Sequence, residues 1–406
     1  MSNTQKKNVP ELRFPGFEGE WEEKRFADFT KINQGLQIAI NERKTEYSPE
    51  LYFYITNEFL RPNSQTKYFI ENPPQSVIAN KEDILMTRTG NTGKVVTNVF
   101  GAFHNNFFKI KFDKNLYDRL FLVEVLNSSK IQNKILSLAG SSTIPDLNHS
   151  DFYSISSSYP LLREQQKIGQ FFSKLDRQIE LQEQKLELLQ QQKKGYMQKI
   201  FSQELRFKDE NGEDYPDWKE KKLGDITEQS MYGIGASATR FDSKNIYIRI
   251  TDIDEKSRKL NYQNLTTPDE LNNKYKLKRN DILFARTGAS TGKSYIYKEE
   301  KDIYNYYFAG FLIKFEIDEQ NNPLFIYQFT LTSKYNKWVK VMSVRSGQPG
   351  INSEEYAKLP LVLPNKLEQQ KIAEFLDRFD QQIELEKQKI EILQQQKKGL
   401  LQSMFI

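Results

Sequence analysis

Apolar positions recur at alternating steps of four and three in two long stretches of the chain, residues 163–201 and 367–405. The two stretches align without a gap. This spacing is typical of an α-helix that buries one stripe in a coiled-coil seam. Pro160 and Pro364 lie just upstream, where a helix can begin but cannot extend backward. The predicted seam residues are Ile168, Leu175, Ile179, Leu186 and Leu189 in the first helix and Ile372, Phe379, Ile383, Ile390 and Leu393 in the second.

Both predicted seams contain polar residues at matching positions. Gln182 and Lys193 interrupt the first seam, and Glu386 and Lys397 interrupt the second. Polar residues in a seam tend to fix its register at some cost in stability. We therefore expect each helix to pack against a specific partner.

The segments before each helix show a different pattern. Short runs such as "LYFYITNEF", "NIYIRITDI" and "FFKIKF" are rich in aromatic and β-branched residues and predict strands, whereas 118–139 and 323–342 have helical spacing. These patterns predict two globules of the α/β (α+β) class that alternate with the two long helices. The predicted division is an N-terminal segment 1–20, a globule 21–160, a helix 161–202, a second globule 203–363 and a second helix 364–406.

Composition limits the chemistry available to these globules. The 406 residues include no cysteine and two histidines, which excludes disulfides, thiolate zinc sites and a cysteine nucleophile. A formal charge of +5 is compatible with nucleic-acid binding but does not require it. No apolar run approaches the ~20 residues that cross a bilayer. We expect a cytoplasmic protein with no membrane association.

Each globule contains a Gly-rich motif, "DILMTRTGNTGK" at 83–94 and "DILFARTGASTGK" at 281–293. A nucleotide-binding P-loop has four residues between its glycine and the Gly-Lys pair, and neither motif has this spacing. Two interpretations stay open: a turn between strands, or backbone and cationic contacts to a nucleic acid. The candidate DNA-binding residues are Arg88, Thr89, Gly90 and Lys94 in the first motif and Arg286, Thr287, Gly288 and Lys293 in the second.

Other motifs of enzymes are incomplete. "NPPQ" at 72–75 has the first letters of an adenine methyltransferase signature but lacks its aromatic residue, and "PDWKEKK" at 216–222 is too compressed for a nuclease motif. With two histidines, the chain also has few of the side chains that usually form a metal site or a catalytic triad. The sequence therefore predicts no catalytic, cofactor-binding or metal-binding residues in this chain.

Two dissimilar globules, each followed by a nearly identical helix with "EQQKI" near its start and "LQQQKKG" near its end, resemble a type I restriction-modification specificity (S, HsdS) subunit. The resemblance covers essentially the whole chain. It implies that the globules are target recognition domains and that the helices pair as an antiparallel coiled coil, which acts as a ruler in an internal repeat of pseudo-twofold symmetry. It also implies that this subunit is not itself an enzyme.

By the same resemblance, the subunit binds a bipartite, asymmetric target in double-stranded DNA. It recruits two methyltransferase (M) subunits, which bind S-adenosylmethionine, and two restriction (R) subunits, which use ATP and Mg²⁺. Two other classes remain open from the residues alone. A coiled-coil scaffold that binds only protein would show no salt-dependent DNA binding, and a stand-alone DNA-modifying enzyme would bind the methyl donor itself.

Overall fold

The computed structural model of the chain describes residues 8–61, 64–140, 143–254, 257–298, 303–345 and 347–405. The predicted N-terminal segment 1–20 therefore lies partly outside the described residues. Contacts divide the chain into two units, one formed by Met1–Gln184 with Lys387–Ile406 and the other by Lys185–Glu386. Both long helices cross this division, so each unit contains one globule and part of each helix.

The first unit contains ten described strands: β1 Glu22–Arg25, β2 Thr30–Gln34, β3 Tyr52–Ile55, β4 Tyr68–Ile70, β5 Ile78–Ala79, β6 Ile84–Thr87, β7 Val95–Val96, β8 Gly101–Phe103, β9 Phe107–Phe112 and β10 Ser156–Tyr159. Its helices are α1 Phe26–Phe29, α2 Arg119–Asn127, α3 Ser129–Leu138, α4 His149–Ser154 and the start of α5 Leu162–Phe201. An antiparallel sheet has the order β2-β9-β6-β7, and a mixed sheet has the order β4-β3-β8-β5. The β1-β10 pair leads into α5.

The second unit also contains ten described strands: β11 Lys219–Lys222, β12 Thr227–Tyr232, β13 Ala238–Arg240, β14 Asn245–Ile248, β15 Thr266–Pro268, β16 Ile282–Ala285, β17 Ser294–Ile296, β18 Asn305–Phe308, β19 Leu312–Ile317 and β20 Pro360–Leu363. Its helices are α6 Pro323–Phe329, α7 Ser333–Met342, α8 Ser353–Ala357 and the start of α9 Lys366–Met404. The main sheet has the order β12-β19-β16-β17.

The main sheets of the two units share one topology despite their different sequences. Strands β2, β9, β6 and β7 correspond in order and direction to β12, β19, β16 and β17. The units differ beside this sheet, where the first has one four-stranded sheet and the second has the separate pairs β14-β18 and β13-β15. The predicted α+β class and internal repeat are confirmed.

Each globule completes its core with residues from both long helices. In the first unit, Ile168 and Phe172 near the start of α5 and Met404 at the end of α9 join the buried cluster. In the second unit, Ile200 near the end of α5 and Ile372 near the start of α9 do the same. The start of one helix thus packs with the end of the other, so the helices run antiparallel within each unit.

The ten predicted seam residues are buried or half-buried, with Ile168, Ile372 and Ile390 the most enclosed. Ion pairs hold the polar seam positions. The Lys193 ammonium lies 2.7 Å from the Asp380 carboxylate in the second unit, and the Lys397 ammonium lies 2.6 Å from the Asp176 carboxylate in the first. Each seam lysine therefore bonds an aspartate of the other helix.

The first glutamine in each "EQQKI" segment attaches a long helix to its globule. The Gln165 amide donates to the Pro160 carbonyl at 2.8 Å and accepts from the Asp118 N–H at 3.0 Å. Gln369 makes the equivalent bonds to the Pro364 carbonyl and the Asn322 N–H, at 2.9 and 2.8 Å. Because both side chains are buried, these paired bonds satisfy groups that would otherwise be costly to enclose.

Candidate nucleic-acid interface

The first Gly-rich loop, residues 88–94, connects strands β6 and β7. The Thr87 N–H donates to the Lys94 carbonyl at 3.0 Å, and the Gly93 N–H donates to the Thr87 carbonyl at 2.8 Å. The Thr87 hydroxyl also accepts from the Lys94 N–H at 2.9 Å. The loop is therefore a closed turn between two antiparallel strands.

The second Gly-rich loop, residues 286–293, connects strands β16 and β17 in the same way. The Ala285 N–H donates to the Lys293 carbonyl at 2.8 Å, and the Gly292 N–H donates to the Ala285 carbonyl at 3.0 Å. The Tyr335 hydroxyl adds a bond to the Gly292 carbonyl at 2.8 Å. The two loops thus share a backbone frame although their lengths differ.

Backbone geometry explains why glycine is needed in both loops. Gly90 and Gly93 each have φ +87°, and Gly288 and Gly292 have φ +73° and +86°. These φ values favour glycine because residues with a Cβ rarely adopt them. A Cβ on Gly292 would also clash with the Val339 side chain of α7. The glycines are accounted for by the turn and by helix packing, and phosphate binding is not needed to explain them.

Residues 143–148, the first facing segment, lie against the first loop. The Thr92 hydroxyl donates to the Pro145 carbonyl at 2.7 Å. Three residues later the Asn148 side chain caps α4 by accepting from the Asp151 N–H at 2.8 Å. The first loop is therefore held between the sheet and this segment.

Residues 347–352, the second facing segment, repeat the arrangement in the second unit. The Pro349 carbonyl accepts from the Gly288 N–H at 2.9 Å and from the Thr291 hydroxyl at 3.1 Å. The Asn352 side chain caps α8. Both facing segments share the pattern proline, any residue, leucine or isoleucine, asparagine, which the sequence shows 204 positions apart but which our sequence analysis did not use.

The Arg88 side chain is held by contacts within its own module. Its guanidinium lies 2.6 Å from the Asp146 carboxylate and 3.4 Å from the Leu147 carbonyl, over the Phe108 ring. The Thr89 hydroxyl also donates to Asp146. The Arg88 side chain is 19 % exposed. Both candidate residues therefore brace the first facing segment in this structure.

Arg286 has a different environment. Its guanidinium lies over the Tyr232 ring at 5.0 Å from the centroid. The position equivalent to Asp146 is Gly350, which pairs with Thr287 through the backbone. Within the parts of the chain that the structure describes, no carboxylate lies within ion-pair distance of Arg286. The Ile351 N–H donates to the Arg286 carbonyl at 2.8 Å, so the backbone of this residue is fixed.

The remaining candidate cations flank the loops. Lys94 is exposed and Lys293 is half-buried. Helix α7, which packs on Gly292, adds an exposed basic face with no acidic residue in the helix. This face consists of Lys334, Lys337 and Lys340. The second loop thus lies beside a run of positive charge suited to a phosphate backbone.

The aspartate that opens each Gly-rich motif is structural. Asp83 and Asp281 each accept a backbone N–H from the turn before the strand, at 2.8 Å. A buried lysine of the neighbouring strand lies near each one, Lys109 at 4.0 Å and Lys314 at 3.4 Å. Burial raises the pKa of Asp281, while Lys314 opposes that shift. These residues stabilise the sheet beneath the loops.

A family model described as Type I restriction modification DNA specificity domain matches residues 18–191 and again 215–395. The chain belongs to this family, and the two matches make it a DNA specificity subunit of a type I restriction-modification system. This confirms the resemblance and target recognition role predicted from the sequence.

The relatives agree with that assignment. The MjaVIII specificity subunit of Methanocaldococcus jannaschii is 26% identical over 415 residues, covering 97% of this chain and 93% of the relative. The HindI specificity subunit of Haemophilus influenzae is 28% identical over 201 residues, covering 47% of this chain and 41% of the relative. Within the described residues, no helix is both long and apolar enough to cross a membrane.

Solved structures show the same fold. The S subunit of a type I restriction-modification system from M. genitalium superimposes with a TM-score of 0.66 at 17% identity, covering 98% of this chain and 99% of that one. A chain from a structural study of complex assembly and conformational transition in the type I R-M system gives 0.52 at 14% identity, covering 96% and 97%.

Proposed function

We propose that each module, 21–160 and 203–363, reads one half of a bipartite, asymmetric DNA target through its Gly-rich loop and facing segment. The subunit itself is non-catalytic. It recruits two M subunits, with S-adenosylmethionine, and two R subunits, with ATP and Mg²⁺, in the cytoplasm. The single observation that carries the proposal is a shared loop frame that presents different side chains in the two modules.

A shared frame with different side chains fits the reading of two different half-sites. The hydrogen bonds that the two loops have in common join backbone groups, so other side chains can change while the loop keeps its shape. Sequence is read by side chains at base edges, whereas contacts to phosphates mainly fix position. Arg88 with Asp146 in one module and Arg286 with Tyr232 in the other are such differences.

Two observations on the described side chains support a non-catalytic role. No group of three or more His, Cys, Asp or Glu residues that could hold a metal occurs in the described ranges. Burial, followed by the nearby Arg43 charge, lowers the pKa of His104 to about 4. A histidine with that pKa stays neutral near pH 7 and is a poor general acid there. We assign methyl transfer and ATP hydrolysis to partner subunits, as the family resemblance implies.

The test begins with the modified adenines in DNA from cells that express this chain with its M subunit. Their sequence context defines both halves of the target. Residues 21–160 are then exchanged for the corresponding module of a relative, with Glu124 and Asp118 retained because they contact the long helices. We expect one half of the modified sequence to change and the other half to stay the same.

A matched exchange of 203–363, with Gln328 and Asn322 retained, should change only the other half. Purified chain without partners should show no methyl transfer and no ATP hydrolysis. Modification in which both halves change together would contradict independent reading. Methyl transfer by the chain alone would contradict the non-catalytic assignment.

A further inference from the structure

The two modules hold their equivalent arginines in opposite ways. Arg88 and Arg286 each follow an inner strand of the main sheet, β6 or β16, and the carbonyl of each accepts a backbone N–H from the facing segment, at 2.9 and 2.8 Å. The facing segment supplies the Asp146 carboxylate in the first module. It supplies Gly350, with no side chain, in the second. One arginine is therefore neutralised, and the other keeps its charge and its hydrogen-bond donors for a ligand.

We propose that Arg286 is a specificity-determining residue that hydrogen-bonds a guanine in the second half of the target, whereas Arg88 is a positioning residue that braces the first facing segment. This inference rests on the proposed function, because it assumes that the second module meets DNA with its Gly-rich loop. It assigns different roles to two residues that occupy the same place in the repeat.

The surroundings of Arg286 suit a fixed, planar donor. The Tyr232 ring supports the guanidinium from one side, and the Tyr232 hydroxyl accepts from the Ser353 N–H at 3.1 Å, which holds the ring. The Arg286 N–H donates to the Phe311 carbonyl at 3.1 Å. A guanidinium held in this way keeps its edge for two parallel hydrogen bonds. The O6 and N7 atoms of guanine in the major groove are the base acceptors that best match this fork.

Arg88 would have to give up an ion pair to do the same. Its guanidinium already donates to Asp146, and the Asp146 carboxylate also receives the Thr89 hydroxyl. Removing either partner from such a partly enclosed pair leaves the other charge without compensation. The first module therefore uses its arginine to hold the loop, and its base contacts come from other residues.

The experiment uses the specificity subunit in complex with its M subunit and DNA that carries the mapped target. Affinity is measured for the target and for variants in which each base pair of either half is replaced in turn. With R286A, we expect the preference for one G·C pair to fall roughly 10- to 100-fold, the range that one bidentate arginine–guanine pair supports. Preferences at the other positions should remain. R286K should reduce the preference, because an ammonium has neither the planar fork of a guanidinium nor its stacking on the Tyr232 ring.

A second pair of variants tests the cause of the asymmetry. G350D introduces a carboxylate at the position equivalent to Asp146. Arg286 should then form an ion pair with it, and the same G·C preference should be lost. G350N has the same size without the charge and should keep that preference whatever its overall affinity. The matched control in the first module is R88M, which should weaken binding without changing the preference at any one base pair.

Three results would overturn the proposal. If R286A weakens binding to all sequences equally and lowers the salt slope by about 1, Arg286 holds a phosphate. If G350N loses the preference as fully as G350D, side-chain volume is the cause and not charge. If R88M abolishes the preference at one base pair in the first half, the two arginines have the same role. A wild-type complex that binds DNA without sequence preference would instead contradict the proposed function.

Discussion

The two places where a seam lysine meets its globule share a geometry but differ in charge. In the first unit, the Lys397 ammonium lies 2.6 Å from Asp176 and 3.3 Å from Glu124 of helix α2. The Glu124 side chain is only 4 % exposed. Burial raises its pKa, Lys397 opposes that shift and Asp176 adds to it. One cation here faces two carboxylates.

In the second unit, an amide replaces the second carboxylate. The Lys193 ammonium lies 2.7 Å from Asp380, and the Gln328 amide of helix α6 donates to the same carboxylate at 2.8 Å. One cation therefore faces one anion. The comparison teaches that the repeat preserves the position of the contact and not its charge, so the two junctions should respond differently to mutation and pH.

The largest effect is expected when the cation is removed from the junction with two acids. K397M keeps the apolar stem but leaves buried Glu124 beside Asp176 without compensation, which should destabilise the first unit by about 3 kcal/mol. K193M should cost the second unit about 1 kcal/mol, because Asp380 is 36 % exposed and keeps the Gln328 donor.

Because two units make a single unfolding free energy ill-defined, hydrogen exchange should be measured locally. Peptides from α2 report on the first junction and peptides from α6 on the second. K194M, which removes an exposed lysine next to the seam, is the control and should change neither. Equal protection losses in K397M and K193M would show that the extra carboxylate carries no energetic weight.

A smaller difference is expected at the first turns of the two long helices. Glu368 in the first turn of α9 accepts from the Arg206 guanidinium and also from the Trp218 indole N–H at 3.2 Å. In the first unit, Arg13 bonds Glu164 in the same way, but the Trp21 indole N–H has no partner among the described residues.

W218F should therefore cost about 1.5 kcal/mol more than W21F, because a hydrogen bond to a buried carboxylate is lost in addition to ring contacts. Exchange of amides in β11 and β1, the strands that follow these tryptophans, provides the measurement. Equal losses of protection in the two variants would mean that packing alone sets the cost.

The smallest effect should be seen as a dependence on pH. Glu124 has a raised pKa in the folded state, so folding holds its proton more tightly and the first unit loses stability as pH rises from the ordinary glutamate value, 4.5, through the raised one. E124Q removes this loss and should stabilise the first unit at pH 7 by on the order of 1 kcal/mol.

Q328E provides the converse variant, since it introduces a second carboxylate beside Asp380. It should give the second unit the same loss of stability with rising pH that E124Q removes from the first. Exchange of α2 and α6 amides between pH 4 and pH 8, corrected for intrinsic rates, measures both. A wild-type first unit whose stability does not change across this range would contradict the raised pKa of Glu124.

The long helices were predictable almost to the residue because a heptad seam is a local signal. The helices predicted over 163–201 and 367–405 correspond to α5 Leu162–Phe201 and α9 Lys366–Met404. The run "FFKIKF" became strand β9, and 118–139 became two helices. The break at Ser128, which caps α3, was missed because apolar spacing continues across it.

The surroundings of the candidate residues were not predictable because they depend on distant parts of the chain. Arg88 contacts Asp146, which lies 58 positions further along the chain, and no local sequence pattern indicates that pair. The repeated proline and asparagine of the facing segments did offer a signal. Aligning those segments would have placed Asp146 against Gly350 and revealed an asymmetry, although not the stacking of Arg286 on Tyr232. DNA contact by the eight loop residues stays a prediction.

The path of the chain through the units has a consequence for biosynthesis. The second unit is contiguous in sequence, whereas the first needs Met404 and Phe405, which pack on Phe121 and its neighbours. A ribosome adds ~5–20 residues per second. The end of α9 is therefore synthesised on the order of ten seconds or more after the strands of the first globule. The module encoded second can therefore finish folding first, and the nascent first module remains exposed to chaperones and proteases until translation reaches the end of α9.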